Sequence, residues 1–297
     1  MGAPICYGDG IYCIDSGYVR PGLAAIYLLI DNGRAAIIET GCNRSVPLVV
    51  SALDELGIEP TCVDYVIPTH VHLDHAGGAG SMMQIFPRAQ LIVHPRGAQH
   101  MADPSKLIAG TIGVYGADAT SQLYGEILPI DSERIVEALD GLSIPLGTRT
   151  LTCLDVPGHA KHHIVVVDGK TGHIFTGDVF GVSYSELNGK DQQFVFPTTT
   201  PVQFDPQALH ASMDRLLALH PAAVYLTHFG RLHNVERNGA ALHRHIDVFV
   251  AIARDARGSG SERHRQIHDG LVRYALAEVK AVGCDWPEAE ILTLLTN

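Results

Sequence analysis

The chain has 297 residues, 18% of them charged and 46% hydrophobic, which is the profile of a folded globular protein with one large domain or two ordinary ones. Its formal charge of −11 argues against a non-specific nucleic-acid binder, which needs a basic surface field, and no apolar run is long enough to cross a bilayer. The six cysteines show no Cys-x-x-Cys spacing, so reduced thiols are expected instead of a disulfide frame.

The N-terminus, "MGAPICYGDG", has no basic region, no long apolar stretch and no small-residue cleavage site; a cytoplasmic protein without a secretory signal is expected. "MGAPIC" also lacks the Ser or Thr that myristoylation requires. "ICY-GDG-IYCID" and "AAIYLLI-DNG-RAAIIET" predict two hairpins, each turning on Asp-Gly or Asn-Gly. "SVPLVVSALDEL" predicts a helix at roughly 45–57, from near Ser45 to Gly57. A short buried strand, "VDYVI", then runs directly into "PTHVHLDHAGG". "AQLIVH" reads as the next strand, and 95–113 as helical with a break at Pro104.

"EILPI", "RIVEAL", "LSIPLG" and "TRTLTCLDV" return to β-structure, followed by the hairpin "HIVVVDGKTGHIFTGD" turning at Asp168-Gly169. Residues 179–200, rich in Gly, Thr and aromatic side chains, have no clear period and read as a functional loop. "DPQALHASMDRLLALH" is an amphipathic helix with Asp205 as N-cap and Pro206 in its first position. "AAVYLTH" reads as the last strand. Beyond Gly230 the pattern is wholly helical, at about 235–256, 260–282 and 286–295. The division expected is a catalytic domain over 1–232 and a helical extension over 233–297 packed on it.

His70, His72, Asp74 and His75 crowd into six positions of "PTHVHLDHAGG". His159 follows "DVPG", Asp178 follows "IFTG" and His228 follows "VYLT", so each sits at the end of a predicted strand. Strand ends are rigid points from which loops converge, and the flanking Gly158, Gly177 and Gly230 allow close backbone approach. Taken singly, His159 reads as an ordinary loop or core histidine and Asp178 as a turn residue. Together, five His and two Asp supply the six or seven groups that two metals sharing one ligand require.

The order His-x-His-x-Asp-His, then an isolated His, Asp and His, resembles the metallo-β-lactamase-fold metallo-hydrolases, with a ligand set like that of glyoxalase II. The likeness covers roughly residues 5–230, and "THVHLDHAGG" is its most specific part. It implies an α+β fold, a four-layer αββα sandwich with metals at one edge between the sheets, here followed by a C-terminal helical extension. Carried across position by position, His70, His72 and His159 would hold one metal, Asp74, His75 and His228 the other, and Asp178 would bridge them. The implied cofactor is Zn2+, two per chain, with iron and manganese as the other candidates. The implied reaction is hydrolysis of a small-molecule ester, thioester, lactone or phosphoester by a metal-bound hydroxide, since zinc lowers the pKa of bound water toward about 7.

In that reading Asp74 also orients the nucleophile, and Tyr184 is the candidate proton donor to the leaving group, with a packed loop tyrosine as the alternative. His163 is expected to hydrogen-bond behind the ligands, His94 either to face the site or to be structural, and Lys161 and His233 to be solvated. Where the family often has "DTG", this chain has "ETG" with Glu39, which puts the usual contact to a ligand histidine in question. An Asp at position 178 instead of Cys, with no export signal, argues against a periplasmic antibiotic-destroying lactamase. Phe180, Tyr184, Phe194, Phe196 and the 95–113 stretch are expected to wall the pocket. "HPRGAQHMADPSKL" and "PTTTP" resemble a bacterial and archaeal branch of the superfamily. In the tail, Leu271, Tyr274, Val279 and Trp286 are expected to pack on the core, with a homodimer surface as the alternative, while Arg263, Arg265, Arg273 and Lys280 read as a solvated face. The partner expected is a small-molecule substrate, with no nucleic acid and no membrane. The competing reading on the same fold is a mononuclear iron sulfur dioxygenase-like oxidoreductase.

Overall fold

A computed structural model describes residues 3–199 and 202–296. Met1, Gly2, Asn297 and the pair Thr200 and Pro201, which fall in the predicted 179–200 loop and the "PTTTP" string, lie outside the described residues.

Two tight turns start the first sheet. β1 (Ile5–Gly8) and β2 (Ile11–Asp15) pair antiparallel across "GDG". β3 (Ala25–Asp31) pairs with β2 and turns into β4 (Arg34–Ile38) over Asn32 and Gly33, both at positive φ as a two-residue hairpin demands. After α1 (Val46–Glu55), the strands β5 (Val63–Ile67), β6 (Gln90–Val93) and β7 (Ile135–Glu137) extend the sheet in parallel, giving the order β1-β2-β3-β4-β5-β6-β7. Between β5 and β7 run α2 (Leu73–Ala76), α3 (Ala79–Ile85), α4 (Pro95–Ala102), α5 (Ser105–Tyr115) and α6 (Ala117–Tyr124).

The second sheet has β8 (Ser143–Leu146), β9 (Arg149–Asp155), β10 (Ile164–Asp168), β11 (Ile174–Gly177), β12 (Val224–Leu226) and β13 (Gly230–Leu232), in the order β13-β12-β11-β10-β9-β8. α7 (Pro206–Leu217) crosses from β11 to its parallel neighbour β12, starting at an Asp205 carboxylate that accepts the Gln207 and Ala208 amides. The chain closes with α8 (Val235–Asp255), α9 (Gly260–Ala281) and α10 (Glu288–Thr296).

Side-chain alternation stacks these pieces into four layers. On β3, Ile26 and Leu28 join Val49, Leu53, Met82 and Phe86 of the helices. Its alternate residues Ala25, Tyr27 and Leu29 face the second sheet and meet Leu151, Cys153, Val166 and Phe175. Tyr27 is fully buried and donates its hydroxyl to the Leu226 carbonyl of the other sheet. The outer face of the second sheet, with Val165, Ile174 and Leu226, packs on Leu209, Met213 and Leu216 of α7 and on Leu242 and Ile246 of α8. Helix, sheet, sheet and helix follow in that order, and the tail is part of the packing. Val279 of α9 and Ile291 of α10 enclose Leu187 and Phe194 of the long loop, while Trp286 stays exposed.

Three details depart from the sequence reading. "EILPI" forms no strand: Pro129 has no N–H for a ladder, and the Ile130 amide bonds instead to the Met101 carbonyl. Residues 117–124, unassigned by pattern, form α6. "AAVYLTH" is not the last strand, because β13 pairs antiparallel with β12; three residues are too few for a period to register. All six cysteines are free, and no helix among the described residues is long and apolar enough to cross a membrane.

Candidate metal centre

β5 ends at Ile67, and the backbone then carries Thr69 and His70 out of the first sheet before entering α2, whose N-cap position is His72 and whose single turn holds Asp74 and His75. His159 follows β9, Asp178 follows β11 directly and His228 follows β12. Strand ends from both sheets thus deliver these groups to the same edge, four after β5 and one each after β9, β11 and β12.

The seven predicted side chains meet there. His70 Nε2 lies 2.7 Å from His72 Nδ1, which is 3.3 Å from His159 Nε2. His75 Nε2 and His228 Nε2 are each 3.5 Å from Asp74 Oδ2. Asp178 stands between the two groups: Oδ1 faces His75 at 3.3 Å and His228 at 3.6 Å, and Oδ2 faces His159 at 3.4 Å. Three metal-sized clusters result, His70/His72/His159, His70/His75/Asp178 and Asp74/His75/His228, in each of which the ligand atoms lie within 4.8 Å of one another.

The outer nitrogens of four histidines are held, which fixes which atom faces inward. His75 Nδ1 is 3.0 Å from Glu39 Oε1, His228 Nδ1 is 2.9 Å from the Leu23 carbonyl, His159 Nδ1 is 2.8 Å from Thr198 Oγ1, and His70 Nδ1 is 3.1 Å from Thr69 Oγ1. The Thr198 and Thr69 hydroxyls donate onward to the Asp178 carbonyl and to Glu39, so each accepts from its histidine. Those four rings therefore offer Nε2 to the centre, and His72 offers Nδ1. Glu39, despite standing where a shorter Asp is usual, makes the expected contact to a ligand histidine. It also accepts the Thr69 amide and the hydroxyls of Thr69 and Thr227.

The charges agree with a cation. Burial holds His70 well below its ordinary value, takes His72 down to about 3 and lowers His159, so these rings are neutral with a free lone pair. Burial works to raise Asp74 and Asp178, yet His75 and its neighbours outweigh it and hold both carboxyls below their usual range. At His75 burial disfavours the charge, but Asp74, Asp178 and Glu39 overcome it and raise the ring to about 10. The field there favours positive charge, and a divalent cation against Nε2 answers the same field. His75 Nε2 and Asp178 Oδ1 are buried without a hydrogen-bond partner among the described residues, which is costly for polar atoms unless an ion satisfies them. The residues fit a pair of divalent metals.

Gly177 explains the tight approach behind Asp178. At its φ of +51° a Cβ would lie 2.4 Å from Thr69 Oγ1 and 2.6 Å from His163 Nε2. His163 accepts the Asp178 amide at 3.2 Å, behind the ligands as expected. His94 is structural: Nδ1 accepts the Arg96 amide at the start of α4, and Nε2 faces Asp155 at 3.3 Å. Lys161 and His233 are exposed.

Tyr184 is near enough to the centre for the Asp178 and Asp74 charges to act on its phenol. Its ring packs 6.0 Å from Phe196 under the Arg20 guanidinium, and burial lifts its phenol to about 12. The predicted aromatic wall is only half present: Phe180 and Phe194 are core residues at 0% and 2% exposure, and only Tyr184 and Phe196 are partly open. Residues that the sequence did not mark stand on the other flank. Tyr18 and Tyr124 stack at 5.9 Å with hydroxyls 3.1 Å apart, and Tyr124 packs on Leu73, the neighbour of Asp74. Their side chains come from segments far apart in sequence, so no local spacing flags them.

A family profile described as the metallo-beta-lactamase superfamily matches residues 19–228, a span that ends on the last of the seven ligands. A metallo-beta-lactamase fold-containing protein of Sulfurisphaera tokodaii is 27% identical over 232 residues, 74% of this chain and 78% of its own. An acyl-coenzyme A thioesterase of Gallus gallus is 27% identical over 196 residues, 58% of this chain and 63% of its own. A hydroxyacylglutathione hydrolase of Xanthomonas campestris is 26% identical over 187 residues, 63% of this chain and 54% of its own. The chain thus spans less than two thirds of the length of the last two. The solved structure of an archaeal superfamily protein from Sulfolobus tokodaii superposes with a TM-score of 0.67 at 23% identity, covering 92% of this chain and 99% of that one, a likeness of fold.

Proposed function

The chain belongs to the metallo-beta-lactamase superfamily, and from that premise we propose that it is a dinuclear zinc-dependent hydrolase of a small-molecule ester, with a thioester as the favoured substrate. The observation that carries this reading is Asp178, whose two oxygens face the two ligand groups separately. His70, His72 and His159 would hold one ion, Asp74, His75 and His228 the other, and Asp178 would join them. Bound there, the ions supply Lewis-acid polarisation of the scissile carbonyl and activation of a water.

The chain's own residues do the rest. Asp74 turns one oxygen, Oδ2, toward His75 and His228, which leaves the other to accept a hydrogen bond from the attacking water and aim it. Glu39 and Thr198 keep the His75 and His159 rings from rotating. Tyr184, whose phenol keeps its proton through neutral pH, would be the donor of a hydrogen bond to the leaving group. Two similar proteins support the thioester preference, one named a thioesterase and one named for hydrolysis of an acylated glutathione.

The test is a metal-defined preparation assayed on thioesters, oxygen esters, lactones and phosphodiesters, with metal content measured in parallel. Two zinc ions per chain and thioester turnover are expected. Asp74→Ala should lower kcat by at least about a hundredfold while the folded spectrum persists. Retained turnover in that variant removes the role of Asp74, and one iron per chain with oxygen consumption replaces the hydrolase by a dioxygenase.

A further inference from the structure

Away from the metal centre, two helices carry the same pair of residue types at the same spacing. His210 and Asp214 stand four apart on α7, and His243 and Asp247 four apart on α8, so each pair lies on one face of its helix. Between the helices His210 Nδ1 is 2.6 Å from His243 Nδ1, His210 Nε2 is 3.2 Å from Asp247 Oδ1, and His243 Nε2 is 3.2 Å from Asp214 Oδ1. The imidazoles are within 6° of parallel, with ring centres 4.8 Å apart. A ring nitrogen sits little more than an ångström from its ring centre, so these distances put both Nδ1 atoms nearly on the line that joins the centres. The rings meet head-on and do not stack face to face. A metal on that line would hold the nitrogens about 4 Å apart, twice a metal–nitrogen bond. What joins them is hydrogen.

The protons can be counted. Two bare lone pairs at this distance repel and two N–H groups collide, which leaves one proton between the Nδ1 atoms. His210 Nε2 hydrogen-bonds the Asp247 carboxylate and so carries a proton as well. His243 Nε2 is buried without a hydrogen-bond partner among the described residues, and bare it would turn its lone pair on the Asp214 carboxylate; a proton there answers that charge. Three protons on two rings make one positive charge between two carboxylates. Burial holds the His243 ring below its ordinary value, His210 adds to this, and Asp214 and Asp247 oppose it, so the pair resists a fourth proton. The other charged groups nearby are engaged elsewhere: Arg215 pairs with Asp140, Arg244 with Glu278, and His245 with Tyr274. The sheet face under both helices is apolar.

Helix α7 also seats a metal ligand. The Asp205 amide at its start donates to the Gly158 carbonyl at 2.7 Å, and Ser212 Oγ donates to the Pro157 carbonyl at 2.6 Å. Leu209, the neighbour of His210, lies so close that a Cβ on Gly158 would stand 2.4 Å from its Cα. The residue after Gly158 is His159.

We propose that His210 and His243 share one proton at neutral pH, and that this proton fixes α7 against α8 and, through α7, the turn that presents His159. Acid that adds the fourth proton sets two imidazolium rings against each other and releases the helix. Metal retention is thereby tied to pH by a route separate from the titration of the ligands themselves. This rests on the metal centre and not on the choice of reaction, and the experiment separates the clamp from the metal reading.

The full chain with isotope-labelled histidines is followed by NMR of the imidazole nitrogens, with and without zinc, and the two rings are assigned through His210→Gln and His243→Gln. Three protons on the four nitrogens of the pair are expected at neutral pH. Two protons, or two rings that titrate independently, overturn the proposal. His243→Gln keeps a hydrogen-bonding side chain but cannot share the charge. In that variant the α7 amides should exchange about tenfold faster, with β3 and β10 unchanged, and zinc should bind about threefold more weakly. The wild type should lose its α7 protection in acid, and the variant should show no such step. Wild-type exchange or wild-type zinc affinity in the variant overturns the proposal. A chain that binds no zinc ends the metal reading instead, and the proton count and exchange rates, both read without metal, still decide the clamp.

Discussion

Glu39 holds its carboxylate inside the protein at 1% exposure on a backbone with φ of +68°, a conformation that few side chains other than glycine tolerate. What keeps it there is full use of both oxygens: the Thr69 amide, two threonine hydroxyls and His75 Nδ1. The extra methylene relative to Asp lets one carboxylate reach across from β4 to both the β5 end and the β12 end. Glu39→Ala should therefore weaken metal binding by about ten- to a hundredfold, because the His75 ring loses the partner that orients it. Glu39→Asp should fall between the two, since the shorter arm cannot keep Thr227 and His75 together. Chelator competition followed by metal analysis reads both, and wild-type affinity in Glu39→Ala would refute the role. The seven candidate ligands stand out in the sequence because His and Asp at strand ends form a pattern. Thr69, Thr198 and the Leu23 carbonyl were not, since hydroxyls and main-chain oxygens occur everywhere and acquire meaning only from the fold.

At the scale of elements, α8 and α9 were readable almost to the residue because two long amphipathic runs repeat their apolar positions many times. β13 and α6 are short, and "EILPI" has the apolar character of a strand but a proline that keeps it out of a ladder. How the tail helices hold together was not readable, because it depends on a buried histidine. His245 of α8 is 3% exposed, with Nδ1 2.7 Å from the Tyr274 hydroxyl of α9 and its ring 6.2 Å from Phe194 of the long loop. Burial, helped by the Arg244 charge and opposed by Glu278, takes this imidazole down to about 4. The folded value lies below the ordinary 6.5 of a free side chain. The unfolded state thus binds more protons between those two values, and stability present above pH 6.5 is lost as the pH falls toward 4. Hydrogen exchange of α9 amides, corrected for intrinsic rates, should speed up over that window relative to β3 and β10. His245→Gln should flatten the dependence; an unchanged slope in the variant would place the cause elsewhere.

The molecule as a whole is clamped at both ends of its strands. At one end Arg149 pairs with Asp168 at 3.0 Å and Lys170 with Asp31 at 2.9 Å, tying the β3–β4 turn to the start of β9 and the end of β10. Asp31 also accepts the Thr148 amide and hydroxyl, and these partners hold its carboxyl far below the usual range. That clamp pairs its charges within the protein, with Arg149 Nε its one buried atom lacking a hydrogen-bond partner among the described residues. The other clamp is the seven-ligand centre, which draws His70, His72, Asp74 and His75 from the first sheet and His159, Asp178 and His228 from the second. Its buried imidazoles and carboxylates include two atoms with no hydrogen-bond partner among the described residues, which a pair of cations would satisfy. Metal bound at a hundred times its dissociation constant stabilises a fold by about 2.7 kcal/mol, and chelation should accordingly lower Tm by at least about 5 °C. Zinc should restore it and magnesium should not, since five imidazoles suit the former and an all-oxygen shell the latter. In the Asp178→Asn variant the same chelator should change Tm much less, because the group that faces both sets of ligands has lost its charge. An equal loss of Tm in that variant, or none in the wild type, would mean that the two sheets are held at this edge by apolar packing alone.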